Sequence, residues 1–271
     1  WVRAHRALET HRVAFTASGL PPAEATMAGA ALISVCVATY NGERYVADQL
    51  ASILQSRLVD EVIVSDDGSS DDTRNIVMSC GDARVRLVSG PQAGLVRNYE
   101  HLLMQARGEH IFLADQDDLW MPDKVETMMR ALRSADLAVS DCRVVDMDLK
   151  ILQSSFFATH SSGPGLLKNL LKNSYLGCCI AFNRSLLKFA LPFPHPLAMH
   201  DWWLGLVAES FGSVTFVPLP LVLYRRHQAN ASSASEKSSV SLQRQLAWRA
   251  QMASDLAGRW LAHRGLTPRQ R

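Results

Sequence analysis

Short runs of β-branched and apolar residues recur along the first half of the chain, each closing on a polar turn and leading into a stretch of helical spacing. Leu32-Ile33-Ser34-Val35-Cys36-Val37-Ala38-Thr39 is the first such run, ending at Tyr40-Asn41-Gly42. Runs of this length and composition, bounded by turn residues, predict strands. From Glu43 to Ser56 the residues Tyr45, Val46, Leu50, Ile53 and Leu54 fall at helical spacing, which predicts a helix with one apolar face. The pattern repeats with a strand over 61–65 closing on Asp66-Asp67-Gly68-Ser69-Ser70, a helix over 72–80 and a strand over 85–89. A helix opened by Gly94 and a strand over 110–114 follow. Alternation at this rhythm predicts βαβ units and an α/β fold, a mostly parallel central sheet flanked by helices.

The second half is less regular. It predicts a helix over 124–134, a strand over 137–141, a loop over 154–165, a helix over 166–173 and a strand over 177–182. Pro192, Pro194 and Pro196 enforce extended backbone before His200-Asp201-Trp202-Trp203, which opens a helix running to about Glu209. Two short strands, 214–217 and 221–224, precede Arg225-Arg226-His227. Residues 1–30, Ala-rich and broken at Pro21-Pro22, read as a helix and linker outside the core. Residues 232–241 are Ser-rich and read as mobile, and 243–263 has the spacing of an amphipathic helix.

Composition narrows this picture only in places. With 271 residues, 48% hydrophobic and 20% charged, the chain can form one large α/β domain or one domain with an appendage. A net charge of +2 gives no support for a nucleic-acid partner. From Tyr224 onward, however, nine Arg or Lys residues face only Glu236 and Asp255. Such a tail suits either anionic lipid or a solvated basic helix. Cys36, Cys80, Cys142, Cys178 and Cys179 form no CxxC pair or zinc spacing, which fits a reducing cytosol. Arg3, Arg6, Glu9 and Arg12 interrupt the first twenty residues, so no secretion signal is expected there. No apolar stretch approaches the ~20 residues of a membrane span. The chain opens on Trp1, as expected of a fragment of a longer protein.

The most informative chemistry is Asp115-Gln116-Asp117-Asp118, directly after the apolar run Ile111-Phe112-Leu113-Ala114. A buried strand ending in acids delivers them to the carboxyl edge of the sheet, where open α/β sheets bind ligands. Two apart on extended backbone, Asp115 and Asp117 share a face and can share a divalent cation, which would relieve their mutual repulsion. The same run fits equally a solvated turn capping the helix that begins near Pro122. An EF-hand loop is excluded, since its sixth position requires Gly and holds Trp120. The second acidic loop at Asp66-Asp67 favours a shared cleft, although Asx-turn chemistry with Ser69 or Ser70 is compatible with it. Both GxGxxG and the Walker lysine loop are missing after the first strand, so phosphates must be held by another device.

Thr39-Tyr40-Asn41-Gly42, Ser65-Asp66-Asp67-Gly68-Ser69, Gly94 with Arg97-Asn98, and Asp115-Gln116-Asp117-Asp118 occur in this order. Together they resemble family 2 glycosyltransferases, inverting enzymes of the GT-A fold that use nucleotide-sugar donors. Gly177-Cys178, Ala181-Phe182-Asn183-Arg184, Met199-His200-Asp201-Trp202-Trp203 and Tyr224-Arg225-Arg226-His227 are similar to the rhamnosyltransferase-like branch that builds bacterial surface polysaccharides. The resemblance covers residues 31 to 230. It implies a nucleotide-sugar-binding half over 31–135, an acceptor-binding and catalytic half over 136–230, and a linker with a C-terminal helix over 231–271.

It further implies a donor pocket of Thr39, Tyr40, Asn41, Asp66, Asp67, Arg97, Asp115, Gln116 and Arg226. Asp117 and His227 would hold Mg²⁺ or Mn²⁺ on the diphosphate, and Arg226 and His227 would steady the departing group. Asp201 matches the general base, and Gly177, Cys178, His200, Trp202 and Trp203 would form the acceptor side. The implied donor is deoxythymidine-diphosphate-rhamnose, with uridine-diphosphate sugars as the alternative. The acceptor would be a glycan or lipid-linked sugar at the inner face of the plasma membrane. For the residues themselves blander roles compete: Asp201 as a helix cap, Arg97 and Asn98 as helix surface, and at least one of the two tryptophans as core. A nucleotidyltransferase and an inactive sugar-nucleotide-binding module are the alternative functions.

Overall fold

The computed structural model describes residues 32–227 and 241–265; the helix and linker expected over 1–30 and most of the Ser-rich segment lie outside the described residues. Its first half contains β1 (Ile33–Thr39), α1 (Val46–Leu54), β2 (Glu61–Asp66), α2 (Thr73–Met78), β3 (Val85–Ser89), α3 (Leu95–Gln105), β4 (His110–Asp115), β5 (Leu119–Trp120) and α4 (Lys124–Ala131). The second half contains β6 (Leu137–Val145), β7 (Ile151–Gln153), α5 (Phe156–His160), α6 (Leu166–Leu171), β8 (Ile180–Asn183), α7 (Leu187–Ala190), α8 (His200–Phe211), β9 (Val214–Arg225) and α9 (Leu242–His263).

All nine strands form one sheet in the order β3-β2-β1-β4-β8-β6-β9-β5, with β7 paired to β6. The first four strands are parallel. β8 then runs antiparallel to both β4 and β6, while β9 is parallel to β6. The parallel arrangement is therefore concentrated in the first half. β1 is buried at all seven positions, as a strand covered on both faces by crossover helices must be. Its register places Ala38 beside both Ser65 and Asp115, and Thr39 beside Asp66. The tips of β2, β1 and β4 thus end at one level. The chain passes from β1 to β2 and β3 on one side and returns to β4 on the other, the switch point at which such sheets open a crevice.

Three local expectations are revised. The two strands expected over 214–224 are one, because the pairing with β6 slips where Pro218 and Pro220 fall: Ser140 faces Val217, yet Asp141 faces Pro220. A bulge is where a strand accommodates proline. The 177–182 strand begins as a turn of 3₁₀ helix at Gly177–Cys179, and the loop over 154–165 contains α5, capped by the Ser155 hydroxyl accepting from Ala158 N–H.

α8 is buried at every position from His200 to Ala208. A helix buried all round belongs inside the protein, and α8 takes the Tyr175 ring against its backbone because Gly205 has no side chain. A Cβ there would lie 2.2 Å from the Tyr175 ring, whose hydroxyl donates to Glu209 at 2.7 Å. Ala exceeds Gly in helix propensity by ~1 kcal/mol, but overpacking against a fixed ring costs about 1–3 kcal/mol. Gly205→Ala is therefore expected to lower stability in chemical denaturation, whereas the same change at Gly258, which has open space around it, should raise it.

Candidate active site

At the level of the strand tips lies a cavity of about 470 Å³ bounded by β1, the β2–β3 loops, α3, β4 and the start of α8. Thr39, Tyr40, Asp67, Asp115, Gln116 and Asp117 line one side, and Gly177, His200 and Asp201 line the other. The two acidic loops therefore share one pocket with the acid of α8.

Each acid is held by a different partner. Asp67 accepts the backbone N–H groups of Gln92 and Gly94 at 2.7 and 2.8 Å. It thereby folds the segment before α3, where Gln92 and Gly94 take left-handed φ values of 55° and 85°. Asp115 accepts the Tyr99 hydroxyl at 2.7 Å. Burial, and then the charge of Asp117, push the Asp115 carboxyl up to about 7. Asp117 Oδ2 lies 2.7 Å from His227 Nε2, and that imidazole stacks on Tyr45. Gln116 makes a two-point clamp on the Tyr40 backbone, accepting its N–H at 2.9 Å and donating to its carbonyl at 3.0 Å. Gly42 is required beside it, since a Cβ would meet Gln116 Oε1 at 2.2 Å.

Asp201 is 4% exposed and sits in the first turn of α8, whose cap is Met199; it is not the helix cap. Its carboxylate accepts Gly177 N–H at 3.0 Å and Asn173 Nδ2 at 3.3 Å. Burial outweighs these bonds and pushes its carboxyl up to about 6. A carboxyl of this kind exchanges its proton near neutral pH, the range in which a general base works best.

Several expected site residues lie elsewhere. Asp66, adjacent to Asp67, points away from the cavity: it is 1% exposed, accepts Ser69 N–H at 3.1 Å and pairs with Arg74 at 3.1 Å. Strand alternation sends neighbours to opposite faces, so only one of the pair reaches the pocket. Asn41 stitches two loops, donating its N–H to Ser69 Oγ and accepting Ser70 N–H, each at 2.9 Å. Arg97 pairs with Glu100, while Asn98 lines the cavity and donates to the Ser65 carbonyl at 2.9 Å. Arg226 does not line the cavity; its N–H donates to the Val145 carbonyl at 2.8 Å and its guanidinium faces the Tyr224 ring.

The acceptor-side expectations divide in the same way. Cys178 is fully buried and its carbonyl takes the buried Lys124 ammonium at 2.5 Å. Trp202 and Trp203 are core residues, their indole N–H groups donating to the carbonyls of Asn169 and Ala190 at 2.6 and 2.9 Å. Among the residues that sequence reasoning missed, Tyr99 and Asn173 orient the two acids with raised pKa values. Neither follows an apolar run or a turn signal that would have singled it out.

The family model "Glycosyl transferase family 2" matches residues 34–191. The chain belongs to this family. It is therefore a glycosyltransferase, and the nucleotidyltransferase and inactive-binder alternatives fall away. It is 26% identical over 208 residues (74% of this chain, 80% of the relative) to the UDP-Glc:alpha-D-GlcNAc-diphosphoundecaprenol beta-1,3-glucosyltransferase WfgD of Escherichia coli. It is 26% identical over 223 residues (73% and 74%) to the dTDP-rhamnosyl transferase RfbG of Shigella flexneri.

Two solved structures share the GT-A fold. S. aureus TarS 1–349 in complex with UDP-GlcNAc superposes with a TM-score of 0.62 at 19% identity, covering 85% of this chain and 73% of TarS. Glucosyl-3-phosphoglycerate synthase of Mycobacterium tuberculosis, in complex with Mn²⁺, UDP and glucosyl-3-phosphoglycerate, superposes at 0.54 with 22% identity, covering 84% and 80%.

The raised carboxyls predict a pH signature of stability. Because Asp201 holds its proton more tightly folded (about 6) than at its ordinary 3.8, its contribution is complete below about pH 4 and is lost as pH rises through about 6. Asp201→Asn removes that loss. The unfolding free energy of the variant relative to the unsubstituted protein, from chemical denaturation, is expected to rise between pH 4 and pH 8 by up to about 3 kcal/mol; a pH-independent difference would contradict it.

Proposed function

We propose that this protein is an inverting glycosyltransferase that moves a sugar from a nucleoside-diphosphate donor to a glycan or lipid-linked acceptor in bacterial surface polysaccharide synthesis. The observation that carries the reading is the buried carboxyl of Asp201 sharing one cavity with Asp67, Asp115 and Asp117; burial also pushes that carboxyl up to about 6. Inversion requires a single displacement at the anomeric carbon. Asp201 takes the proton of the acceptor hydroxyl, the new C–O bond forms, and the bond to the diphosphate breaks with its electron pair on the leaving oxygen. Tyr40 offers an exposed ring, and Asp67 an anchored carboxylate, for the base and ribose.

The residues present fit a hard divalent cation. Asp115 and Asp117 would supply the carboxylate oxygens that suit Mg²⁺ or Mn²⁺, and the His227 imidazole beside them is a softer donor that favours Mn²⁺ of the two. Among the described residues, the group whose ligand atoms lie within 4.8 Å of one another is Asp115, Asp118 and Cys178, but Asp118 accepts Arg225 N–H at 2.9 Å and does not line the cavity. We place the cation on the Asp115–Asp117 side, where the like charges that raise Asp115 would be offset. When bound, such a cation neutralises charge on the diphosphate. That glucosyl-3-phosphoglycerate synthase was crystallised with Mn²⁺ and UDP supports this assignment.

The donor we favour is dTDP-rhamnose, supported by the likeness to RfbG; the likeness to WfgD makes UDP-glucose the competing donor. Incubation with both, with and without chelator, is expected to show transfer or slow hydrolysis of one, abolished by EDTA and restored by Mn²⁺. Asp201→Asn should lower kcat by ~10²–10⁴-fold with nucleotide binding retained. In the unsubstituted enzyme kcat/KM should fall below about pH 6, as the base becomes protonated. Retained turnover in Asp201→Asn would remove the base from this mechanism.

Peripheral attachment to the inner face of the plasma membrane is part of the proposal. Among the described residues no helix is long and apolar enough to cross a membrane. Leu167 and Leu171 of α6 are 76% and 67% exposed, and Leu246 of α9 is exposed as well. Lys168, Lys172, Arg244 and Arg249 accompany these leucines, and Arg249 joins the two helices by donating to the Leu171 carbonyl at 2.8 Å. This apolar and basic face suits anionic lipid, and it leads directly to Asn173 and Asp201. Replacing Leu167 and Leu171 with Glu should abolish sedimentation with phosphatidylglycerol vesicles while donor hydrolysis in solution persists.

A further inference from the structure

The carboxylate of Asp201 takes hydrogen bonds from three other residues. Two of them come from backbone, the N–H groups of Trp202 at 2.5 Å and Gly177 at 3.0 Å, and depend on no side chain. The third does: Asn173 Nδ2 donates to Asp201 Oδ1 at 3.3 Å, and among the described residues it is the side chain that donates to this acid. The Asn173 carboxamide is itself engaged at both ends. Its Oδ1 accepts Tyr175 N–H at 2.9 Å, an Asx turn, and Nδ2 donates a second time to the Tyr175 carbonyl at 3.1 Å. The accepted N–H decides which way the amide faces, so both amide hydrogens are directed at oxygens and one of those oxygens is Asp201. The segment that carries Asn173 is anchored as well. It follows α6, whose last carbonyl, at Leu171, takes the Arg249 guanidinium at 2.8 Å.

We propose that Asn173 is the positioning residue of the base, fixing the Asp201 carboxylate at the transfer site and setting how tightly it holds its proton. The inference rests on the reading of Asp201 as the base given above. Burial pushes the Asp201 carboxyl up to about 6, and the bond from Asn173 acts against that burial by favouring the charged form. Without the bond, the proton would leave only at higher pH. The residue type matters as much as the contact. Aspartate has the same shape and could still accept Tyr175 N–H, but it would turn a carboxylate oxygen toward Asp201 and the Tyr175 carbonyl, where the amide donates. The other ionisable groups nearby do not take this place. Asp115 and Asp117, at the end of β4, line the same cavity and carry negative charge of their own. His200, beside Asp201 in α8, is neutral because burial pushes it down to about 3. Lys172, next to Asn173, has its ammonium on the His160 carbonyl at 2.9 Å, and Glu209 of α8 takes the Tyr175 hydroxyl.

The test follows kcat/KM of the full chain against pH, with saturating Mn²⁺ and whichever of dTDP-rhamnose and UDP-glucose is turned over. Asn173→Asp is expected to move the acid limb of the profile upward by about one pH unit, a loss of roughly 5-fold near pH 6 that is recovered by about pH 8. Asn173→Ser, whose hydroxyl can still accept Tyr175 N–H, should move the limb the same way by less, and stands in if the Asp variant fails to fold. Carbon-13 NMR of labelled aspartate carboxyls reads the same displacement without turnover, the Asp201 resonance being the one lost in Asp201→Asn. A loss of kcat/KM that is equal at every pH, with the Asp201 carboxyl titrating unchanged, marks a merely structural Asn173 and overturns the assignment. So does an unmoved profile at full activity. If Asp201→Asn itself retains turnover, the base reading fails, and this assignment with it. If Asp201→Asn is inactive while the Asn173 variants titrate like the unsubstituted protein, this assignment alone fails.

Discussion

Carboxylates gathered around one cavity repel each other, and much of the surrounding structure serves to hold them in place. Asp67 is fixed by two backbone N–H groups of the β3–α3 loop, Asp115 by the Tyr99 hydroxyl, Asp117 by His227, and Asp201 by Gly177 and Asn173. The partners come from different stretches of chain, so each bond also ties a loop or helix to the pocket. Two of the acids remain raised despite their partners, because burial penalises the charged form more than the bonds favour it. Such a pocket is tuned for exchanging protons and for receiving positive charge.

The two halves of the sheet make different contributions to this arrangement. Parallel strands β2, β1 and β4 end in register, so their tips present acids at a common level. The mixed half carries α8, whose first nine residues are all buried. Trp202 and Trp203 anchor that helix through their indole N–H groups, and the preceding pair, His200 and Asp201, reaches the pocket. The tryptophans beside these two pocket residues are thus mounting points here rather than a sugar platform. The glycines of the site act through absence: Gly42 admits Gln116, Gly177 admits His200, and Gly205 admits Tyr175.

Much of this was legible in the sequence wherever local physics dominates. Runs such as Ile33–Thr39 and Val85–Ser89 are strands because β-branched residues between turns have few other options. The acids of Asp115 and Asp117 follow from their place at the end of such a run. Where the reading went astray, the deciding contact came from far along the chain. Leu119–Trp120 becomes a strand only because Leu223 and Val222 lie beside it. The 214–225 segment remains one strand because β6 tolerates the slip at its prolines.

The sequence by itself determined the α/β alternation, the family, and the loops in which the chemistry resides. Periodicity and turn chemistry act over a few residues, and the motifs are short. Tertiary structure alone decided which member of each adjacent pair meets the cavity: Asp67 and not Asp66, Asn98 and not Arg97, His200 and Asp201 and not the tryptophans. That choice depends on the rotation of a helix or strand end against partners from distant parts of the chain. Asp201 acquires its raised carboxyl, and His200 its closed position against Tyr99 and Gly177, only once Tyr99, Gly177 and Asn173 close around them.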